Sequence, residues 1–313
     1  MKLDVYFEKD NGLHFNPIPI YEGFFDHLKT TYPEIQFNFY NSAELRTPEN
    51  YGGPSSIYSS LFMRIVNPSN GKFIVISYWD VARNLFDKKS QYYIANEKLV
   101  GFYTSIGINS DKDYAYELCT PRIKYIPTSL CLQRSSDDAF IEAARNSGVQ
   151  REYRQKPRFR GSCYAFRDFL RTDPRYEIFN IYDLNHRLEK EEYFKEMFSS
   201  KINISLNGIG ESCFRDIEIL GLGSTLLRPK LTVDFHDRLI PNYHYASVEV
   251  QDQTNFCDLA DAIYSKYDWL LRNPDVAESI AENGRNWYLK NGSTIKNIET
   301  LKQVVKIENL WTE

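Results

Sequence analysis

Short apolar runs alternate along the chain with stretches whose apolar residues recur every three or four positions. The first pattern predicts strands, the second predicts helices, and their alternation predicts an α/β chain. In the first half, strands are expected at residues 3–7, 35–40, 72–78, 99–104 and 123–126, with helices at 20–31 and 80–86. Between residues 134 and 157 the pattern weakens into Ser135-Ser136-Asp137-Asp138 and then a basic stretch from 151 to 160. That segment reads as a linker.

The second half is more regular. Strands are expected at 158–161, 177–181, 202–206, 224–227 and 246–250, with helices at 163–171, 188–198, 212–220, 255–271 and 274–290. Pro274 suits the first position of its helix, where no N–H is needed. Beyond it, Ile298, Leu301 and Val305 lie three and four apart and mark an amphipathic stretch over 294–310. The expected organisation is two αβα layers, residues 1–145 and 155–290, followed by a helical tail over 291–313.

Composition narrows the class. The 313 residues are enough for two domains. With 42% hydrophobic and 26% charged residues, a disordered or fibrous chain is excluded. A net charge of −4 provides no global positive field for nucleic acid or anionic lipid. Five cysteines stand far apart with no Cys-x-x-Cys, and five histidines show no zinc-like spacing. Reduced thiols and a cytoplasmic setting are expected. The opening residues lack a signal-peptide core, and no run of about 18 apolar residues predicts a membrane span.

Two strand–glycine–helix turns carry the candidate chemistry. The first runs Arg158-Phe159-Arg160-Gly161-Ser162, with Arg167 one turn or so into the helix. The second runs from Asn203 through Gly208-Ile209-Gly210-Glu211-Ser212 to Arg215 and Glu218, with Ser212 expected as the N-cap. A helix N-terminus offers free N–H groups and positive dipole, and glycines let the backbone approach a phosphate closely. Arg215 and Glu218 share a helical face. They suit a diphosphate and a ribose; they equally suit an ordinary βα turn carrying an exposed Arg–Glu pair.

Taken with Gly221-Leu222-Gly223-Ser224, Pro241-Asn242-Tyr243-His244-Tyr245, Asp258-Leu259 and the helix ending Gly284-Arg285, these turns resemble the CAP10-like glycosyltransferases, the family of the Rumi-type O-glucosyltransferases. The likeness covers roughly residues 157–290. It implies a GT-B fold of two Rossmann-like domains facing a cleft: an acceptor-side domain, a nucleotide-sugar domain and a last helix returning to the first. It implies transfer of a sugar, xylose or glucose, from a UDP-sugar to a hydroxyl of a glycan or protein, inverting and without a metal. Ser162, Arg167, Ser212 and Arg215 would contact the diphosphate, with Arg160 and Gly161 shaping the first donor-binding turn and Gly208 and Gly210 belonging to the second. Tyr182 and Asp183 would serve the base and ribose, as would Glu218, whose identity is nearer to exostosin-type transferases.

The first half carries no comparable motif. An inverting transferase needs a general base, and Asp80 and Asp10 follow strand-like runs. Each has a local alternative, Asp80 as a helix cap and Asp10 in an Asp-Asn-Gly turn. His14 is a further candidate. Asp111-Lys112-Asp113 matches the Asp-x-Asp that holds a divalent metal in GT-A transferases. A metal-dependent transferase using that pair, and a non-catalytic nucleotide-sugar-binding scaffold, are the alternatives. His244 is expected to be structural.

Overall fold

The computed structural model describes residues 1–9, 18–41, 61–78, 94–104, 107–108, 123–125, 137–155, 158–159, 169, 180–181, 188–207, 213–231, 233–251 and 255–312. The chain divides into two units, Met1–Arg134 with Val233–Asp237 and Thr294–Glu313, and Ser135–Thr232 with Arg238–Ser293.

The first unit is built on β1 (Lys2–Lys9), β2 (Gln36–Asn41), β3 (Leu61–Val66), β4 (Phe73–Tyr78), β5 (Leu99–Thr104) and β6 (Ile123–Tyr125), with α1 (Ile18–Thr31) joining β1 to β2. The order across the sheet is β2-β1-β3-β4-β5-β6. Ile74, Val75 and Ile76 are all buried, so β4 is covered on both faces. From α1, Phe24, Phe25 and Leu28 enter the core.

This sheet is mixed, which departs from the Rossmann-like expectation. β3, unforeseen as a strand, runs antiparallel to both β1 and β4. The reason is local: Asn67-Pro68-Ser69-Asn70-Gly71 turns the chain back at once, closed by the Asn67 N–H on the Lys72 carbonyl at 2.9 Å. A tight turn can only join antiparallel strands.

The second unit contains α2 (Asp137–Arg145), β7 (Arg158–Phe159), β8 (Asn180–Ile181), α3 (Lys190–Ser199), β9 (Ile202–Ile204), α4 (Phe214–Leu222), β10 (Thr225–Pro229), β11 (Ala246–Val248), α5 (Phe256–Arg272) and α6 (Pro274–Trp287). β7 pairs with β8, and β9, β10 and β11 pair in that order, every ladder parallel. The two ladders are separate, β7-β8 and β9-β10-β11; β7 contacts β9, and Glu152 forms an isolated parallel bridge to Ser200. Helices cover both faces: α5 and α6 bury Leu259, Ile263, Tyr267, Leu270 and Ile280 against β9 to β11, while α2, α3 and α4 pack together on the other side.

Helix α2 occupies what the sequence suggested was linker. Asp137 and Asp138 put acid in its first turn and Arg145 closes it, both favourable to the dipole. Ile141 and Ala144 anchor its apolar side in the core; the face is regular, but the nine-residue helix is low in overall hydrophobicity. After α6 a single π-helical turn, Tyr288–Gly292, leads to α7 (Thr294–Val304) and a 3₁₀ turn at Ile307–Leu310. The amphipathic stretch expected over 294–310 is thus two elements. Helix α7 packs on α1, with Ile298 against Gly23.

Candidate functional site

Strand β9 ends at Ile204, and the chain then passes through Ser205, Leu206 and Asn207 to α4. The N-cap of α4 is Cys213, one residue later than expected. Its extended backbone (φ −121°, ψ 150°) lets Asp216, at the third helical position, reach back and accept the Cys213 N–H at 2.9 Å. The Cys213 thiol donates to the Leu206 carbonyl at 3.0 Å.

Asp216 is 2% exposed and meets Arg228, which is fully buried in β10. Arg228 also donates to the Asn207 side-chain oxygen at 2.8 Å and to the Pro229 carbonyl at 3.1 Å. One buried guanidinium therefore ties together the exit of β9, the start of α4 and the end of β10. Removing one member of such a pair leaves an uncompensated buried charge. Sequence reasoning passed over Arg228; the available signal was a lone arginine in the apolar run Thr225-Leu226-Leu227-Arg228.

Arg215 and Glu218 do lie on one face, but as members of a half-buried cluster rather than an exposed pair. Glu218 is 7% exposed and accepts the Tyr193 hydroxyl of α3 at 2.7 Å. Burial works against the charge on Arg215, yet the Tyr193 hydroxyl, the Cys213 thiol and the Glu218 carboxylate together raise its pKa above the ordinary value. Burial, and then Glu218, raise the Tyr193 phenol against the opposing pull of Arg215. The buried Arg215 Nε has no hydrogen-bond partner among the described residues. The cluster holds the Arg215 guanidinium, balanced by Glu218, in the first turn of a helix, where backbone N–H groups also lack intrahelical partners.

The other expected donor residues, Arg160, Gly161, Ser162, Arg167, Tyr182, Asp183, Gly208, Gly210 and Ser212, lie outside the described residues, as do Asp10, Asp80, His14, Asp111 and Asp113. The strands that lead to them are described. Arg160 follows β7, Tyr182 follows β8 and Gly208 follows β9, so all three loops leave the carboxyl ends of neighbouring parallel strands.

His244 is structural. Its Nδ1 accepts the Ile240 N–H at 2.9 Å across a turn in which Asn242 has φ 57°. Gly284 of α6 packs so closely here that a Cβ would stand 2.6 Å from the His244 carbonyl oxygen. Two pieces of the resemblance are therefore packing partners of one another.

No protein-family model matches the chain, and no curated protein matches it. Among solved structures it is similar to sucrose-phosphate synthase from Thermosynechococcus elongatus, at 12% identity and a TM-score of 0.42 over 73% of this chain. The similarity spans 66% of that protein's chain, just under two thirds of its length. Among the described residues no helix is long and apolar enough to cross a membrane.

Proposed function

We propose that the chain is a glycosyltransferase whose nucleotide-sugar donor rests its diphosphate on the turns after β7 and β9. The observation that carries this reading is the contact of β7 with β9, beside which β7 pairs with β8 and β9 with β10, together with Arg215 in the first turn of the helix beyond β9. Open parallel sheets bind ligands at the carboxyl ends of their strands where the order reverses. The two glycine turns singled out in the sequence leave from that place.

In this reading the acceptor hydroxyl attacks the anomeric carbon of the donor sugar. The bond to the diphosphate breaks, and the nucleoside diphosphate leaves with its electron pair. Arg215, Arg160 and Arg167 stabilise the charge that grows on it, with the N–H groups near Gly161, Ser162, Gly208, Gly210 and Ser212. These groups would do the work a metal does elsewhere. Asp80 or Asp10 would take the acceptor proton, giving inversion. Glu218, with the Tyr193 hydroxyl it binds, forms the wall assigned to ribose, alongside Tyr182 and Asp183. UDP as nucleotide and xylose or glucose as sugar rest on the family resemblance.

Calorimetry with UDP and GDP, followed by donor hydrolysis across a panel of UDP- and GDP-sugars, tests the reading. Arg215→Ala should lower kcat as well as donor affinity, by about 2–4 kcal/mol in transition-state stabilisation. Glu218→Gln should mainly raise KM, because ribose does not react. Failure of every nucleoside diphosphate to bind would sink the proposal, and binding without any turnover would leave a scaffold.

A further inference from the structure

We propose that a cavity at the amino-terminal edge of the second unit's sheet is a binding site for a small phosphorylated molecule. The cavity holds about 370 Å³ and is lined by Arg145, Arg151, Tyr153, Lys201, Glu278 and Arg285, with Gly223, Thr225 and Glu282 at its edges. Lys201 and Thr225 stand at the starts of β9 and β10, whereas Arg215 belongs to the turn beyond the end of β9. The two sites therefore lie at opposite ends of the same strands, and this inference does not rest on the transferase reading.

Charge identifies the ligand class. Four cations line the cavity against two carboxylates, Glu278 and Glu282. Lys201 is matched by Glu278 at 2.7 Å, and Arg285 by Glu142 at 2.6 Å. Arg145 and Arg151 bond otherwise. Arg145 donates to the Leu222 carbonyl at 2.7 Å. Arg151 donates to Phe198 at 3.1 Å, to Gly223 at 2.9 Å and to the Ser224 hydroxyl at 2.9 Å. Among the described residues neither forms an ion pair with a carboxylate.

The bland account is that these arginines only cap α4. Capping does occur, but a helix C-terminus supplies only about half a negative charge. Four cations against the carboxylates Glu142, Glu278 and Glu282 leave an excess of one positive charge, which the helix end only partly offsets. Burial, then Arg285, lowers the Arg145 pKa against the pull of Glu142, and burial, then Arg145, lowers that of Arg151 against Tyr153 and Glu278. A phosphate monoester brings close to two negative charges and oxygens that suit guanidinium forks. The cavity leaves room for the body that carries the phosphate. The Tyr153 ring, with the Lys201 ammonium 4.5 Å from its centroid, forms one wall.

The test is calorimetric titration of the whole chain with inorganic pyrophosphate, alone and with UDP present. A saturable site should remain in the titration with UDP present, when the donor site is filled. Arg145→Gln should weaken it about tenfold or more, the scale of losing a charge-assisted bond to an anion. Glu282 is exposed and holds no helix end. Glu282→Gln should tighten binding by roughly two- to fivefold, as removal of a nearby surface carboxylate allows. Arg215→Ala should leave this site unchanged. Absence of saturable binding, or affinity indifferent to Glu282→Gln, overturns the proposal even if Arg145→Gln fails to fold. Loss of pyrophosphate binding in Arg215→Ala alone assigns the anion to the other end of the strands and overturns it too.

Discussion

The two ends of helix α4 use arginine in opposite ways. At its N-terminus a single fully buried guanidinium, Arg228, meets a carboxylate, Asp216, and the pair neutralises itself inside the protein. At its C-terminus Arg145, Arg151 and Arg285 surround the Gly221, Leu222 and Gly223 carbonyls and stay partly accessible. The difference follows from what each end lacks. An N-terminus has spare donors, and Cys213 with Asp216 satisfies one of them while Arg228 balances the acid. A C-terminus has spare carbonyls, which accept hydrogen bonds but cancel little charge. The first arrangement is closed, and the second retains charge for something outside the chain.

The largest expected effect sharpens this contrast. Arg228→Met should destabilise the second unit by about 3–5 kcal/mol, because Asp216 is left buried and unpaired. The double variant with Asp216→Asn should recover much of that loss in urea denaturation. If the single variant is near neutral, the pair is not the closed unit described.

Arg151→Ala removes three hydrogen bonds from one guanidinium but strands no buried acid. A smaller cost follows, about 1–3 kcal/mol, read by the same denaturation. A loss as large as that of Arg228→Met would erase the distinction between the two ends.

Gly223 closes α4 in the left-handed region at φ 71°, and a Cβ there would lie 2.7 Å from Arg145 Nη1. Gly223→Ala should cost about 1–2 kcal/mol from backbone strain, with any excess reporting how firmly Arg145 is held. Thermal melts of Gly223→Ala and of Gly223→Ala with Arg145→Gln separate the two parts.

The smallest effect is a pH dependence shared by both ends. Tyr193, facing Glu218 near the first turn, and Tyr288, whose hydroxyl donates to Asp138 at 2.5 Å, both titrate above 10.0 because burial and then a carboxylate disfavour the phenolate. A folded-state pKa above the unfolded value means their stabilisation is whole below about pH 10 and is lost as pH rises through the folded values. Melts carried past pH 10 should fall, and more shallowly in Tyr288→Phe. An unchanged slope in that variant would remove Tyr288 from the account.

Much of the second unit was legible in the sequence, because its strands are continuous apolar runs and its helices have regular apolar faces. Residues 202–206 and 224–227 read as strands on that signal, and the strands observed are Ile202–Ile204 and Thr225–Pro229. The N-cap slipped by one because a serine is the better capper in isolation; Asp216, reaching back to Cys213, decides the position and acts through space. Helix α2 was missed because it is only nine residues long and low in overall hydrophobicity, although its apolar positions are regularly spaced. β3 was missed because Arg64 interrupts its apolar run, although the turn after it was readable. Arg228 and Tyr193 escaped for a different reason. A buried polar residue is visible only once its partner's position is known.

The membership of the two units has a consequence for how the chain is made. Nearly all of the second unit lies in one stretch, from Ser135 to Ser293, broken only by Val233–Asp237. The first unit waits for the last residues. Ile298 covers Gly23, and the side-chain amides of Asn67 and Asn70 donate to the Leu310 carbonyl at 3.0 and 2.9 Å, across 243 and 240 positions. On a ribosome that emits residues in order, α1 therefore emerges long before residues 298–310, which complete its unit. Until the carboxyl-terminal residues emerge, α1 keeps an apolar flank uncovered, and the nascent chain carries it exposed through most of its synthesis.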